Sequence, residues 1–385
     1  MNICLVNGGF DRSLTSPEQL LGRYWHVPQL ARALVEQGNN VTAIQAFHCN
    51  ERLQRGEVTF EFVETTRRGS REWIEVSSFD DIASKLVSLQ PDLVHVFGLT
   101  LRVLCRAAGR WCAEHGVGLT ASFHGGHPSR NLIHRWRQRR ALVRFSGFFF
   151  STEFAAEQWI NAGMLADSAQ VTLVPEVSSP FAGIPKRAAR KELGIDGSPI
   201  LVWAGRMHPM KDPLTTLRGL LTVIRDWPEV KLLMAYQSED MLTEVRSFLA
   251  ANTALEKRVV LLGELEHSKM EVLFSAADFF VHSSRREYGS NALVEAMSCG
   301  AIPVVSDIPS LRALTEHIGP AVLFPAGDAA ALARGLLNSR PQDMDRLTQQ
   351  VKSAFNEHLS YRALAAKYSD VFKKLVDRQI SGGRS

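Results

Sequence analysis

The sequence predicts an α/β protein built from two doubly wound halves. Short apolar runs rich in β-branched and aromatic residues alternate with amphipathic helical segments along nearly the whole chain, which is typical of this fold class. The chain has 385 residues, enough for two domains that each bury a core. One linker-like stretch, residues 175–185, is rich in proline and serine and separates two series of similar length.

The strands of the first half are predicted at 3–6, 41–44, 57–64, 92–98, 119–123, 146–151 and 171–174. Apolar residues at helical spacing predict a helix over 27–35 that stops at Gly38. Val58, Phe60 and Phe62 alternate with polar residues, so we expect a half-exposed strand there. The strands of the second half are predicted at 200–204, 230–235, 258–262, 278–281, 302–305 and 321–324.

Composition excludes several classes of protein. The net charge of +4 is mild and does not by itself indicate nucleic-acid binding. Five scattered cysteines, with no Cys-x-x-Cys, favour reduced thiols over a disulfide framework or a zinc site. The chain enters a strand at once and has no apolar run near the ~20 residues that span a bilayer. We expect a cytoplasmic protein, soluble or peripheral on the inner face of a membrane.

The strand at 278–281 leads into the most informative stretch of the chain. Ser290 is a good helix N-cap, and Gly300 stands where a helix would end. A strand, a tight loop and a helix start present backbone N–H groups and a positive dipole end to an anion. Glu287 precedes this helix and Glu295 lies on its second turn. Carboxylates accept hydrogen bonds from sugar hydroxyls, so the stretch indicates a bound nucleotide sugar.

Two cations follow the strand at 200–204. Arg206 comes directly after Gly205, and Lys211 lies five residues later. The carboxyl ends of parallel strands line the ligand crevice of open α/β sheets. A guanidinium fork and an ammonium there suit a diphosphate and would neutralise the charge of a departing nucleotide.

The Glu-x7-Glu stretch with its following Ala-Met-Ser-Cys-Gly-Ala-Ile-Pro-Val-Val resembles the signature of retaining GT-B glycosyltransferases of family GT4, also called glycosyltransferase group 1. Tyr288-Gly289 departs from it, because the family usually has an aromatic residue at Gly289. The resemblance implies two Rossmann-like domains facing across a cleft. We expect residues 1–175, with a C-terminal helix of about 360–385, to form the acceptor-side domain, and residues 186–358 to bind the nucleotide sugar.

The resemblance also implies roles for individual residues. Arg206 and Lys211 would hold the diphosphate, Glu287 the sugar hydroxyls and Glu295 the ribose. His124, at the end of a first-half strand, matches the family's histidine that contacts donor sugar or acceptor, whereas His95 is mid-strand and predicted to be structural. The remaining predicted substrate contacts are a loop glycine and the start of the helix: Gly22, Ser290, Asn291, Ala292 and Leu293.

The predicted reaction is transfer of a sugar, with retention, from a UDP- or GDP-sugar to an unidentified acceptor, which would be a glycan, a lipid-linked sugar or a small molecule. No Asp-x-Asp stands at a strand end and no histidines have metal-ligand spacing, so we expect neither a metal nor another cofactor. Two alternatives stay open: a GT-B-type sugar-nucleotide epimerase, which needs no acceptor, and a catalytically silent subunit that binds partners.

A basic segment follows His124. Six arginines lie within Arg130–Arg144, and Leu132, Ile133, Trp136 and Val143 recur at helical spacing, which leaves most arginines on the other face. Basic amphipathic helices dock on anionic membranes, and they also occur as plain solvated faces. No stacking series or binding motif accompanies the charge, so a nucleic-acid partner is not expected.

Overall fold

The computed structural model describes residues 1–65, 73–287, 289–339 and 343–382. The chain divides into two compact units: unit 1 comprises Met1–Glu176 and Tyr361–Ser385, and unit 2 comprises Val177–Ser360. In the described parts of the chain, no helix is both long and apolar enough to cross a bilayer.

Unit 1 contains an eight-stranded sheet in the order β10-β9-β8-β7-β1-β3-β5-β4, parallel except for β4. A short antiparallel pair, β2 and β6, lies beside it. The strands are β1 Asn2–Asn7, β2 Gly9–Asp11, β3 Asn40–Phe47, β4 Glu51–Arg55, β5 Val58–Glu64, β6 Trp73–Glu75, β7 Leu93–Phe97, β8 Gly118–Ser122, β9 Gly147–Phe150 and β10 Gln170–Leu173. The strands predicted in this half are therefore present, and β2, β4 and β6 were missed.

The helices of unit 1 are α1 Pro17–Arg23, α2 His26–Glu36, α3 Asp80–Leu89, α4 Arg102–His115, α5 Leu132–Leu142, α6 Glu153–Asn161 and α15 Tyr361–Gly382. They cover both faces of the sheet, with one core under α3, α4 and α6 and a second under α2 and α15. Phe372 and Leu375 of α15 are buried in the second core, which ties the end of the chain to unit 1.

Strand β5 corrects one prediction, because it is not half exposed. It lies between β3 and β4, and the side chain of Glu61 is only 7% exposed. Lys85 lies 2.8 Å and Arg52 3.5 Å from its carboxylate. An alternating pattern therefore marked a strand correctly, but the buried carboxylate is compensated by cations that the pattern does not reveal.

Helix α5 differs from a second prediction, which concerned the face of the helix that is buried. Its buried residues are Gln138, Ala141 and Leu142, not the apolar residues recognised by their spacing. Leu132, Ile133 and Trp136 are instead exposed by 78%, 63% and 55%. The periodicity was real, but the stripe that it marks faces solvent.

Unit 2 contains a six-stranded, wholly parallel sheet in the order β13-β12-β11-β14-β15-β16. The strands are β11 Ile200–Gly205, β12 Lys231–Tyr236, β13 Val259–Gly263, β14 Phe279–His282, β15 Ile302–Ser306 and β16 Val322–Phe324, all as predicted. The helices are α7 Lys186–Leu193, α8 Pro213–Val223, α9 Leu242–Ala251, α10 His267–Ala276, α11 Asn291–Ser298, α12 Pro309–Thr315, α13 Ala329–Asn338 and α14 Met344–His358.

The strand order of unit 2 is that of a Rossmann sheet, in which the chain runs outward from β11 to one edge and then from β14 to the other. The two strands are neighbours in the sheet, so the order reverses between them. Crevices for ligands form outside the carboxyl ends of the strands at such a reversal. The segments that follow β11 and β14 are therefore the part of unit 2 best placed to bind one.

Candidate active site

The segments after β11 and β14 carry the predicted cations and Glu287. Arg206 directly follows β11 and is exposed, with no carboxylate within ion-pair distance among the described residues. Lys211 ends a 3-10 turn, Pro209–Lys211, and is half-buried. The next residue, Asp212, adopts a left-handed conformation (φ 45°) and caps α8, a conformation that aspartate tolerates better than most residues.

Hydrogen bonds join these two segments. The buried Ser283 hydroxyl, just after β14, lies 3.1 and 2.8 Å from the carbonyl oxygens of Lys211 and Asp212. The Arg285 backbone N–H donates to the carbonyl of Met210 (2.8 Å), and its guanidinium pairs with Asp212 (2.8 Å). The turn that carries Lys211 is thus fixed against the loop that carries Glu287.

Lys211, Glu287 and His282 form what we call the donor cluster. The Lys211 ammonium pairs directly with Glu287 Oε1, and His282 Nε2 lies 3.0 Å from the same oxygen. Burial alone would raise the pKa of Glu287, but the hydrogen bond from His282 and the Lys211 ammonium lower it to about 2. Burial lowers the pKa of His282, so the neutral ring donates its Nε2–H to the carboxylate.

His282 also connects the donor cluster to the start of α11. Its Nε2 lies 3.3 Å from Ser284 Oγ and 3.4 Å from Ser290 Oγ. Ser290 is the N-cap, as predicted, and its hydroxyl accepts from the Leu293 N–H (3.3 Å). This corrects the expectation that Leu293 offers its N–H to a ligand, because the cap already uses it. No hydrogen bond to the N–H groups of Asn291 and Ala292 is found among the described residues, from which Tyr288 is excluded.

Glu295 is held separately. It lies on the second turn of α11 with its side chain 7% exposed, and its Oε1 lies 2.8 Å from Nε2 of His267, the first residue of α10. The hydrogen bond that His267 donates to the Glu295 carboxylate raises the pKa of His267. The Phe181 ring packs on the same imidazole at 4.8 Å between centroids. One oxygen of Glu295 is thus occupied by protein, which fixes where the other points.

His124, in unit 1, belongs to a different network, which we call the His124 chain. His95 Nδ1 lies 2.9 Å from Thr120 Oγ1 and its Nε2 lies 3.1 Å from Ser122 Oγ. Ser122 Oγ in turn lies 2.7 Å from His124 Nε2, and His124 Nδ1 lies 3.1 Å from Glu176 Oε1. His95 is fully buried among aromatic rings, and burial lowers its pKa to about 3. The prediction that it is structural is confirmed.

The His124 chain leaves no ring nitrogen of His124 for a ligand. His95 is neutral. If His124 is neutral as well, every ring nitrogen in this chain has a hydrogen-bond partner only when the Ser122 hydroxyl donates to His124 Nε2 and His124 Nδ1–H donates to Glu176. If His124 carries a charge, Nδ1–H still donates to Glu176. The second oxygen of Glu176 has no hydrogen-bond partner among the described residues, and the side chain is 24% exposed. The acceptor that this end of the sheet presents is therefore the carboxylate.

Gly22 does not lie in the loop for which it was predicted. It belongs to the last turn of α1, is exposed, and has open space where a Cβ would stand. Nothing in its backbone requires glycine. Gly8 and Gly9 have less room, because a Cβ there would lie 2.7 Å from the end of the Leu104 side chain and 2.8 Å from the Trp73 ring.

Sequence reasoning missed His282, His267, Ser122 and Glu176 as members of these networks. Only His282 had a signal, since it is a polar residue in the last position of an apolar strand that leads into the Glu-x7-Glu stretch. His267 and Glu176 are 28 and 52 residues from their partners. Ser122 is only two residues from His124, but nothing in the local pattern marks it as part of a network. Within the described ranges, no three His, Cys, Asp or Glu side chains are grouped as metal ligands.

The sequence matches two family models. Residues 25–176 match the family described as Glycosyltransferase Family 4, and residues 198–339 match the family described as Glycosyl transferases group 1. Together they cover most of both units.

The individual relatives have low sequence identity to this chain. The chain is 26% identical over 287 residues, 73% of each chain, to a GDP-mannose:cellobiosyl-diphosphopolyprenol alpha-mannosyltransferase of Xanthomonas oryzae. It is 25% identical over 314 residues, 76% of this chain and 73% of the relative, to a 2-deoxystreptamine N-acetyl-D-glucosaminyltransferase of Streptomyces fradiae.

Among solved structures, HepE of Anabaena in complex with UDP is similar at a TM-score of 0.65 and 14% identity, covering 97% of this chain and 100% of that one. Likeness at this identity bears on the fold alone. The family models and the fold agree with the geometry above: the chain is a GT-B glycosyltransferase and belongs to the group 1 glycosyltransferases of family GT4.

Proposed function

We propose that the protein transfers a sugar, with retention, from a nucleotide diphosphate sugar to an acceptor hydroxyl. The observation that carries this proposal is the donor cluster at the strand reversal of unit 2, where a lysine, an ionised carboxylate and the N-terminus of α11 adjoin. A diphosphate needs cations and N–H donors, and a sugar needs a carboxylate acceptor. The donor cluster supplies both kinds of group within one hydrogen-bonded unit.

The groups divide between the parts of the donor. Arg206, Lys211 and the N–H groups of Asn291 and Ala292 bind the diphosphate, and Glu287 accepts from the sugar hydroxyls. Glu295, oriented by His267, accepts from the ribose. In the protein without donor, Lys211 is paired with Glu287, so the arriving phosphate has to share this ammonium with the carboxylate. Ser290 serves this arrangement by capping the helix that offers the N–H groups.

Catalysis then rests on charge stabilisation of the departing nucleotide diphosphate. Fixed cations and helix N–H groups strengthen their interaction as the glycosidic oxygen gains charge, which lowers the barrier to its departure. No metal or other cofactor is needed in this account. Activity is expected to survive EDTA, and complete loss that Mg²⁺ or Mn²⁺ restores would contradict the metal-free proposal.

The donor is a UDP- or GDP-sugar. One relative is named for GDP-mannose, and one structural neighbour is a complex with UDP, which supports a nucleotide sugar and leaves both bases in contention. A glycan, a lipid-linked sugar or a small molecule would be the acceptor. The proposed location is the cytoplasm, where the protein would be either soluble or peripheral at the inner face of a membrane.

The decisive experiment is a thermal-shift screen of UDP-, GDP- and ADP-sugars, because a ligand that binds only the folded state raises the apparent Tm by mass action. One class of donor is expected to stabilise the protein. The stabilising nucleotide sugar is then incubated with the protein, and its products are analysed for slow hydrolysis to the free sugar and the nucleotide diphosphate. Donor conversion to an epimer would favour the epimerase reading. Stabilisation by no donor would favour the silent subunit.

A further inference from the structure

Helix α5 of unit 1 is held to the protein by polar contacts. The Gln138 side chain accepts from the backbone N–H of Ser129 (3.0 Å). The Arg135 guanidinium donates to the carbonyl of Ala162 at 3.1 and 2.6 Å. With Ala141 and Leu142 buried, these contacts fix which side of α5 faces outward.

The outward side is apolar and cationic at once. At 100° per residue, eight exposed residues fall on one arc of roughly half the helix, which we call the α5 surface: Leu132, Ile133, Trp136, Arg137, Arg139, Arg140, Val143 and Arg144. The exposed His134 lies outside this arc. The arginines are interleaved with the apolar side chains rather than segregated from them, contrary to the expectation from sequence. The Arg140 guanidinium lies 4.7 Å from the Trp136 ring centroid, so the two chemistries share the same patch.

The α5 surface belongs to a stretch of the sequence that lacks acidic residues. No Asp or Glu occurs from residue 115 to residue 152. None of the ion pairs found among the described residues involves an arginine of this surface. A solvated helix face usually mixes both signs, and a face built for a protein core would not expose Leu132 and Ile133.

We propose that the α5 surface docks on an anionic lipid bilayer. Arginine binds lipid phosphates, tryptophan favours the interfacial region of the membrane, and leucine and isoleucine insert below it. Charge complementarity selects anionic over zwitterionic lipid. A nucleic acid would engage the arginines but gains little from the aliphatic side chains, and for that reason the bilayer is the better partner. This inference goes beyond the transferase reaction and does not depend on it.

The test is co-sedimentation of the full chain with vesicles. One set contains about 30 mol% phosphatidylglycerol in phosphatidylcholine and the other phosphatidylcholine alone. The wild type is expected to sediment with the anionic vesicles only, less so as salt rises. The variants are Arg137→Glu/Arg139→Glu/Arg140→Glu and Leu132→Ser/Ile133→Ser/Trp136→Ser. Each is expected to weaken partitioning by roughly tenfold or more, since both charge and insertion contribute.

The matched control reverses three exposed arginines of unit 2 and changes the net charge equally: Arg225→Glu/Arg246→Glu/Arg334→Glu. It is expected to sediment like the wild type. Because the changed side chains are exposed, all variants should keep the wild-type Tm, which excludes misfolding. Wild-type protein that ignores anionic vesicles, or α5 variants that sediment like the control, would overturn the proposal. Binding of the α5 surface to single-stranded RNA without vesicle binding would overturn it too. A donor-induced Tm shift in the α5 variants shows separately whether the transferase proposal stands.

Discussion

Each unit places a histidine beside a carboxylate at the carboxyl end of a parallel strand, yet the two pairs have different neighbours. In unit 1, Glu176 receives one hydrogen bond from His124 and no cation joins them among the described residues. In unit 2, Glu287 receives a hydrogen bond from His282 and an ion pair from Lys211. The first pair ends a chain of hydrogen bonds that runs from His95 through Ser122, and the second is the centre of a cluster that contains the Lys211 ammonium.

The neighbours of each carboxylate determine what each sheet edge can bind. A carboxylate with one unused oxygen and no cation accepts a hydrogen bond from a hydroxyl but repels a phosphate. A lysine held against a carboxylate binds phosphate and hydroxyl together, provided the ligand carries both. Under the proposed function, unit 2 would therefore bind the phosphates and unit 1 a hydroxyl group.

Removal of either cation should give the largest loss of turnover. The two variants should differ in stability, because Lys211 is paired with Glu287 and Arg206 is not. Lys211→Met and Arg206→Met are each expected to lower turnover by about a hundredfold, the effect of a lost electrophilic donor of ~3 kcal/mol. Only Lys211→Met should also lower the free energy of unfolding, by about 3 kcal/mol, because it strands the buried Glu287 carboxylate. Turnover and urea unfolding measure the two quantities.

The double variant Lys211→Met/Glu287→Gln is the control for this prediction. It removes both charges, so stability should return to within about 1 kcal/mol of the wild type while turnover stays low. The pKa of Glu287, about 2 against an ordinary 4.5, gives a second check. The ionised Glu287 contributes stability to the folded protein above pH 4.5, and this contribution is lost as the pH falls toward 2. The double variant lacks the carboxylate and should not show this loss of stability. Normal turnover in both single variants would refute the assignment of phosphate chemistry to unit 2.

A smaller effect is expected when the His124 chain is cut. Glu176→Gln keeps the shape of the side chain and removes the charge, and Ser122→Ala removes the hydroxyl that holds His124 Nε2. Each should lower turnover about tenfold, the worth of a hydrogen bond to a charged group, and together they should lower it less than additively. Affinity for the free nucleotide diphosphate should not change. Weakened nucleotide binding in either variant would erase the distinction between the units.

The smallest expected effect is on the pH dependence of stability and involves His267. Its pKa is raised by Glu295, so the pair stabilises the folded protein most when the ring is protonated. This stabilisation is full below the ordinary value of 6.5 and is lost as the pH rises through the raised pKa. NMR titration should place the His267 pKa above 6.5, and Glu295→Gln should lower it. An unchanged titration in that variant would mean that Glu295 does not hold this ring.

The fold class and the strands with strong apolar runs could be predicted from sequence, because periodicity and punctuation are local properties. The cap at Ser290 is equally local and was predicted correctly. The buried Glu61 and the outward stripe of α5 were not, since partners distant in sequence decide which face of an element is covered. Lys85 lies 24 residues from Glu61, so no local sequence pattern indicates that the two side chains form an ion pair.

The candidate site divides in the same way. Arg206, Lys211, Glu287 and Glu295 were found by motif and position, but the pairing of Lys211 with Glu287 joins residues 76 apart in the chain. That pairing follows from the neighbouring positions of β11 and β14, which the sequence does not state. His124 was found, while its dependence on Glu176 was not, because 52 residues separate them.

The most direct test of the donor cluster is calorimetry with two ligands, the free nucleotide diphosphate and the intact nucleotide sugar that the donor screen identifies. Glu287→Gln should bind the nucleotide diphosphate at least as tightly as the wild type, because it releases Lys211 to the phosphate. It should lose roughly ten- to a hundredfold in affinity for the sugar donor. Glu295→Gln should weaken both ligands alike through the shared ribose. Wild-type affinities of both variants for both ligands would contradict the account.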